Sequence, residues 1–327
     1  MITVYRSSGE AVLLSPEMLA DSHAVPPDVV WVDLLSPTHE EDAFVEKILD
    51  IDVPTRDELK DIEPSSRLYT ENGTVYMTAS VVWKADSDHP ELTDIAFILT
   101  DRCLLTIRYA EPRSFELFRA AMPRLAGGCG TGTAIITRLL ETIVDRTAEI
   151  LEVSVATADK LSLEVFSDRR HTHRRAPRYL EERLVAVSAL HRLVAKTRDS
   201  LMSLSRLMIF LYTVPPLQAD LDSRELCRTV SRDIQSLSEH ANFIASNISF
   251  LLDASLGLIN LEQNQIIKIF SIASVVLLPP TLIASIYGMN FEFMPELHLA
   301  YAYPLSLGAM VVSAVVPFFF FRWKGWL

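Results

Sequence analysis

Two long apolar runs mark the C-terminal end of the chain. From Ile269 to Tyr287, and again from Ala302 to Phe321, there is no Asp, Glu, Lys, Arg or His. Each run has about the 20 residues that a helix needs to cross roughly 30 Å of hydrocarbon. Core helices of soluble proteins seldom stay apolar for so long, so two membrane spans are predicted. Leu207 to Val214 is too short to be a third; Arg206 precedes it and Pro215-Pro216 ends it, as at a buried helix end.

Up to about Ala110 the apolar positions alternate as in strands, at Val29–Asp33, Thr74–Trp83, Ile95–Leu99 and Cys103–Arg108, with turns such as Glu71-Asn72-Gly73 between them. Thr38–Leu49 and Thr55–Ile62 read as short helices, the first opened by Thr38 and Glu41 at capping-box spacing. From Pro112 the period becomes helical, over Pro112–Leu125, Thr133–Phe166 and Pro177–Val214; the last two are apolar on one face and are expected to pack as an antiparallel pair. Gly127-Gly128-Cys129-Gly130-Thr131-Gly132 lacks the Gly-Lys-Ser/Thr ending of a phosphate loop and follows a helix, so it reads as a flexible connector. His171 and His173, among arginines before Pro177, read as a solvated turn.

Between Pro216 and Pro279 there is no proline and one glycine, Gly257, so a single helix of about 60 residues and ~90 Å is predicted. Most of it lies outside a bilayer and continues into the first span as a stalk. The expected fold is thus an α+β cytoplasmic domain, a long stalk helix and a two-helix transmembrane hairpin. Its parts are an α/β domain over 1–111, a helical hairpin over 112–216, the stalk over 217–265, the first span over 266–288, a loop over 289–300, the second span over 301–321 and a basic tail over 322–327.

Charge gives the orientation. Lys268 precedes the first span and Arg322 and Lys324 follow the second, whereas the intervening loop holds Glu292, Glu296 and His298 and no Lys or Arg, so both termini are expected in the cytoplasm. Trp323 and Trp326 fit an interfacial belt beside those cations, and no signal-peptide pattern is read at Met1. Cys103, Cys129 and Cys227 are too widely spaced for a zinc site and are expected as reduced thiols. The net charge of −12 argues against a nucleic-acid partner. Neither a nucleotide site nor a nucleophile constellation is found, so no enzymatic activity is expected.

One face of the long helix, read at alternating steps of four and three, carries Asp253, Gly257, Asn260, Asn264, Ile267, Ser271, Ser274, Leu278, Thr281, Ser285 and Gly288. Most are polar or small, in a segment otherwise made of Ile, Val, Leu and Phe. A polar row in a spanning helix avoids lipid, either by close helix packing or by facing water. Small residues explain packing at Gly257, Ser271 and Ser274, but the amides of Asn260 and Asn264 with the carboxylate of Asp253 fit an aqueous axis better. Two spans cannot enclose such an axis, so a pore requires several copies, each polar residue becoming a ring. Pro279 and Pro280 lack N–H groups, free the carbonyls of Val275 and Val276, and are expected to kink the span.

The span closes on Tyr287-Gly288-Met289-Asn290. That motif, with Pro279-Pro280-Thr281 upstream, the loop Phe291-Glu292-Phe293-Met294-Pro295-Glu296-Leu297 and a basic, Trp-containing tail, resembles the CorA family of magnesium transporters. The resemblance is sharpest over Leu261–Leu327 and extends to the rest by architecture. It implies a funnel-shaped homopentamer in the inner (plasma) membrane, with the first span lining the pore and the second facing lipid. Gly288, Met289 and Asn290 then form the selectivity filter. Thr281 and Asn264 are polar pore rings, Asp253 an acidic ring, and Ile267, Phe270 and Leu278 the hydrophobic constriction, with Glu292 and Glu296 at the entrance. A ring of neutral amide oxygens suits magnesium, which gives up its hydration water reluctantly. The family further implies uptake of magnesium, with cobalt and nickel, driven by membrane potential. It implies gating by cytosolic divalent ions bound between subunits, for which Asp86, Asp88, Glu91, Asp222, Glu225 and Asp233 are candidates. The zinc-transporting branch of the superfamily is the nearest alternative, against which Met289 counts; a membrane-anchored cytoplasmic binding protein is the alternative of another class.

Overall fold

Among the described residues seven strands, rich in Leu, Val, Thr and Ile, form one mixed sheet: β1 (Ile2–Arg6), β2 (Ala11–Leu14), β3 (Val29–Leu35), β4 (Leu68–Glu71), β5 (Thr74–Trp83), β6 (Glu91–Leu99) and β7 (Leu104–Arg108). Their order is β2-β1-β3-β7-β6-β5-β4. β3 and β7 run parallel and the other neighbours antiparallel. The computed structural model describes residues 1–14, 26–60, 63, 67–166, 179–290, 294–299 and 301–326. The chain divides into a unit of Met1–Leu252 and a unit of Asp253–Leu327.

The β4–β5 hairpin turns at Asn72-Gly73, both with positive φ (48° and 85°), the backbone that a two-residue turn matched to strand twist demands. The central strands β3 and β7 are covered on both faces, so that nearly every residue in them is buried, polar ones included. One face carries Trp31, Met77, Phe97 and Leu104 against the helices α2 (Arg113–Ala121), α3 (Gly132–Phe166), α4 (Tyr179–Leu211) and the start of α6 (Leu221–Tyr287). The other carries Leu34, Ile98, Leu105 and Ile107 beneath α1 (His39–Leu49) and a single 3-10 turn, Glu58–Lys60. A short helix, α5 (Pro215–Ala219), precedes α6. In this unit α6 buries Ser223, Cys227, Val230, Ile234, Ala241, Ile244, Ile248 and Leu251, at steps of four and three with one of seven that the partly buried Leu237 divides.

The predicted strands and long helices are present, and α1 begins with the full capping box between Thr38 and Glu41. Leu207, Met208, Leu211 and Val214 are buried, as expected of that helix end. Three expectations change or fall outside the description. Of the helix predicted over Thr55–Ile62 only Glu58–Lys60 is helical, because Thr55 and Glu58 satisfy each other's amides and close a single turn; residues 61 and 62 lie outside the described residues. The glycine-rich stretch is no loose connector: Met122–Gly128 is 3-10, and Gly132 opens α3 against the backbone of Cys103 and Leu104, where a Cβ would meet backbone atoms at 2.7 Å. His171, His173 and Pro177 lie outside the described residues.

A polar network crosses the parallel pair. Asp33, 2% exposed, accepts from Arg108 Nη2 (2.8 Å) and Nε (3.0 Å) and from Thr106 Oγ1 (2.7 Å), which itself accepts from Trp31 Nε1 (2.9 Å). Arg108 is fully buried and gives its last contact to the Ala110 carbonyl at 3.0 Å. Buried charge survives here because each partner is satisfied by the other.

The second unit consists of the remainder of α6, a 3-10 turn at Pro295–His298 and α7 (Ala302–Trp323). Both α6 and α7 contain segments long and apolar enough to cross a membrane. Pro279 and Pro280 lie inside α6 without ending it.

Candidate functional site

Along the apolar part of α6, over residues 266–287, the positions that are not exposed are Lys268, Ile272, Val276, Pro279, Pro280 and Ile283. Their spacing puts them on one side of the helix. That side turns toward the C-terminal end of the chain, where Lys268 Nζ lies 5.8 Å from the centre of the Trp326 ring. The polar row occupies the opposite side. Asp253, Asn260, Asn264, Ile267, Ser271, Ser274, Leu278 and Thr281 are all exposed. Phe270 is exposed too, at 69%, beside Ile267 at 61% and Leu278 at 62%. The row is therefore not used for packing inside its own hairpin.

Two hydroxyls of the row, those of Ser274 and Thr281, share a pattern. Ser274 Oγ donates to the Phe270 carbonyl at 2.9 Å, and Thr281 Oγ1 lies 2.9 and 2.8 Å from the carbonyls of Leu277 and Leu278. With the proton committed to the backbone, each oxygen turns outward as an acceptor. A surface of acceptors suits cations and the water around them.

The helix ends by tightening. Gly288 N–H donates to the Ala284 carbonyl at 2.9 Å and Met289 N–H to the Ile286 carbonyl at 3.3 Å. A Cβ on Gly288 would sit 3.1 Å from the Ala284 carbonyl oxygen, so glycine lets this turn close tightly. Gly288, Met289 and Asn290 are exposed, as is Glu296 in the following 3-10 turn; Glu292 lies outside the described residues. At the other end of the second span, Phe321 stacks on Trp326 at 5.5 Å and Lys324 Nζ lies 5.5 Å from the Phe320 ring, which groups aromatic rings with cations as an interface requires.

The six candidate regulatory acids are all exposed but differ in surroundings. Asp86 sits between Arg146 (2.9 Å) and Arg113 (3.5 Å), and Glu91 is 3.3 Å from Lys84. Asp233 lies near two further acids, Glu141 and Asp145 of α3. Burial, then Asp145 and Asp233, raises Glu141 above the usual carboxylate range, and burial followed by Asp233 and Glu149 raises Asp145. The available signal was their i, i+4 spacing, which puts like charges together on a helix. Among the described residues no three Asp, Glu, His or Cys side chains converge closely enough to hold a metal ion.

An α/β unit, a helix reaching from it into an apolar segment and a second apolar helix define a membrane protein of the CorA architecture. A family model described as CorA-like Mg2+ transporter protein matches residues 27–323. The magnesium transport protein CorA of Haemophilus influenzae is 34% identical over 300 residues, covering 91% of this chain and 92% of its own. That of Salmonella typhimurium is 35% identical over 300 residues, covering 92% of each, and that of Campylobacter jejuni is 33% identical over the whole of both chains, 338 aligned residues. The solved CorA magnesium transporter of Methanocaldococcus jannaschii superposes with a TM-score of 0.74 at 18% identity, over 100% of this chain and 99% of that one. The cytoplasmic domain of ZntB from Vibrio parahaemolyticus is more distant, with a TM-score of 0.57 at 11% identity over 80% of this chain and 98% of that one. This chain belongs to the CorA family of magnesium transporters.

Proposed function

We propose that several copies of this chain surround the polar row of α6 and form a channel that carries magnesium into the cell, with cobalt and nickel as secondary cargo. The observation that carries the reading is the side on which the row lies: it is turned away from the positions that α6 shields within its own unit. Polar groups so placed in a spanning helix need water or other copies of the chain. Five copies are the assembly we assign, in the inner (plasma) membrane with both termini cytoplasmic.

In this assembly Gly288, Met289 and Asn290 form the filter and Glu296, with Glu292, the acidic entrance. Asn290 amides accept hydrogen bonds from the ion's hydration water without replacing it, as magnesium requires. Thr281, Ser274, Ser271, Asn264, Asn260 and Asp253 continue the acceptor surface inward. Ile267, Phe270 and Leu278 form an apolar constriction that conducts when wet and closes by dewetting. Two charges moving inward gain about 4.6 kcal/mol per 100 mV, so no nucleotide is needed. Cytosolic divalent ions are proposed to close the channel by binding acids between subunits. Asp88, Glu91, Asp222, Glu225 and Asp233 are the available candidates, and Asp86, already held by two arginines, is the least available. Met289 and the low similarity to ZntB favour magnesium over zinc.

The test is flux. Purified chain in liposomes holding a magnesium indicator, with a potential set by potassium and valinomycin, is expected to admit magnesium, and Asn290→Ala is expected to lose most of that flux. Undiminished flux in the variant would overturn the filter assignment.

A further inference from the structure

A cavity of about 350 Å³ opens at the start of α2, beside the turn between β5 and β6, lined among others by Lys84, Asp86, Glu111, Arg113, Ser114 and Arg146. The N-cap of α2 is Pro112, which offers no side-chain acceptor, and no side chain caps the helix. Its first amides therefore add positive potential to the opening. Ser114 is 2% exposed and its hydroxyl has no hydrogen-bond partner among the described residues. A buried hydroxyl of this kind is costly unless a ligand satisfies it.

Each charged group around the cavity has a carboxylate or cation beside it. Lys84 Nζ lies 3.3 Å from Glu91 and 3.9 Å from the centre of the Trp83 ring, which also lines the cavity. Arg146 contacts Asp86 and Glu149, Arg113 contacts Asp86, and Glu111 is held by Arg119. The carboxylate shared by the two arginines is the exposed one: the Asp86 side chain is 71% exposed, at the end of a surface turn, whereas Arg146 is 14% exposed and fixed. Such an exposed ion pair is weak. Its carboxylate occupies the position in which an anion would meet two guanidinium groups near a helix N-terminus.

We propose that this cavity binds a phosphate-bearing anion, which displaces Asp86 from Arg113 and Arg146 and accepts from Ser114 and the first amides of α2. Guanidinium forks and helix N-termini both favour phosphate geometry and charge. The assignment concerns binding in the Met1–Leu252 unit and does not depend on the transport reading. It is tested on the full chain in detergent, without divalent ions, by calorimetric titration with inorganic phosphate against sodium chloride of equal ionic strength. A second titration with adenosine monophosphate tells a free phosphate site from one that also uses the Trp83 wall. Saturable phosphate binding is expected. Asp86→Asn, which removes the competing carboxylate, is expected to tighten it about two- to fivefold, matching the weight of one exposed ion pair; Arg113→Gln and Ser114→Ala are expected to weaken it. Both Asp86 and Arg113 are exposed, so these variants keep the fold. Absence of saturable binding in the natural chain and in Asp86→Asn alike, or binding unchanged by both Arg113→Gln and Ser114→Ala, would overturn the proposal.

Discussion

Replacing Asp33 by alanine leaves a fully buried guanidinium without its counter-ion. The carboxylate accepts three short contacts, from Arg108 Nη2 at 2.8 Å, Arg108 Nε at 3.0 Å and Thr106 Oγ1 at 2.7 Å, and Arg108 has 0% exposure with which to recruit water. Removing one partner of such a pair costs about 3–5 kcal/mol, because the remaining charge stays desolvated and unpaired. For a folding unit of this size one kcal/mol moves the unfolding midpoint by about 2–4 °C, so the loss should appear as roughly 6–20 °C. The assay is a circular-dichroism melt of the full chain in detergent. Parent and variant are scanned at one rate, since membrane-protein unfolding is commonly irreversible and the midpoint then depends on scan rate. The combined change Asp33→Leu with Arg108→Met is the informative control: an apolar replacement of the whole pair should recover most of the loss. A shift below about 2 °C in Asp33→Ala, less than the equivalent of one kcal/mol, would refute the reasoning. So would a double variant as unstable as the single one.

Gly132→Ala is expected to destabilise by about 1–3 kcal/mol, the usual cost of overpacking, because its Cβ would lie 2.7 Å from Cys103 and Leu104 backbone atoms. Gly130→Ala, with nothing within 4 Å, should be nearly silent in the same melt. Glu141 and Asp145 have folded-state pKa values raised above the ordinary carboxylate range. Their protonated forms are favoured in the fold, so the stability they contribute is fully present below the unfolded values of about 4 and is lost as pH rises through the folded ones. Asp233→Asn, which removes a repelling neighbour of both, is accordingly expected to raise the midpoint at pH 7 and to lose this advantage as the pH falls toward 4; an equal shift at both pH values would contradict the repulsion.

Features that depend on a few consecutive residues were legible in the chain. The two spans follow from uninterrupted hydropathy, the turn at Asn72-Gly73 from the residues able to hold positive φ, and the start of α1 from the spacing of Thr38 and Glu41. The polar row of α6 was visible too, because helix geometry converts its spacing into one face. Which way that face points was not, since it depends on the side of α6 that the rest of its unit shields. The same holds wherever distant segments meet. Asp33 lies in an apolar strand and gives no sign of an arginine 75 positions away until the parallel pairing of β3 and β7 sets them side by side. Gly132 looked like part of a loose linker until the Cys103–Leu104 backbone came against it, and the coupling of Glu141 and Asp145 to Asp233 arises only where α6 brings Asp233 near them. Local sequence determined conformation and amphipathic faces, because those arise from neighbouring residues. Only tertiary structure decided which faces meet, because burial and electrostatics depend on distances between groups far apart in the chain.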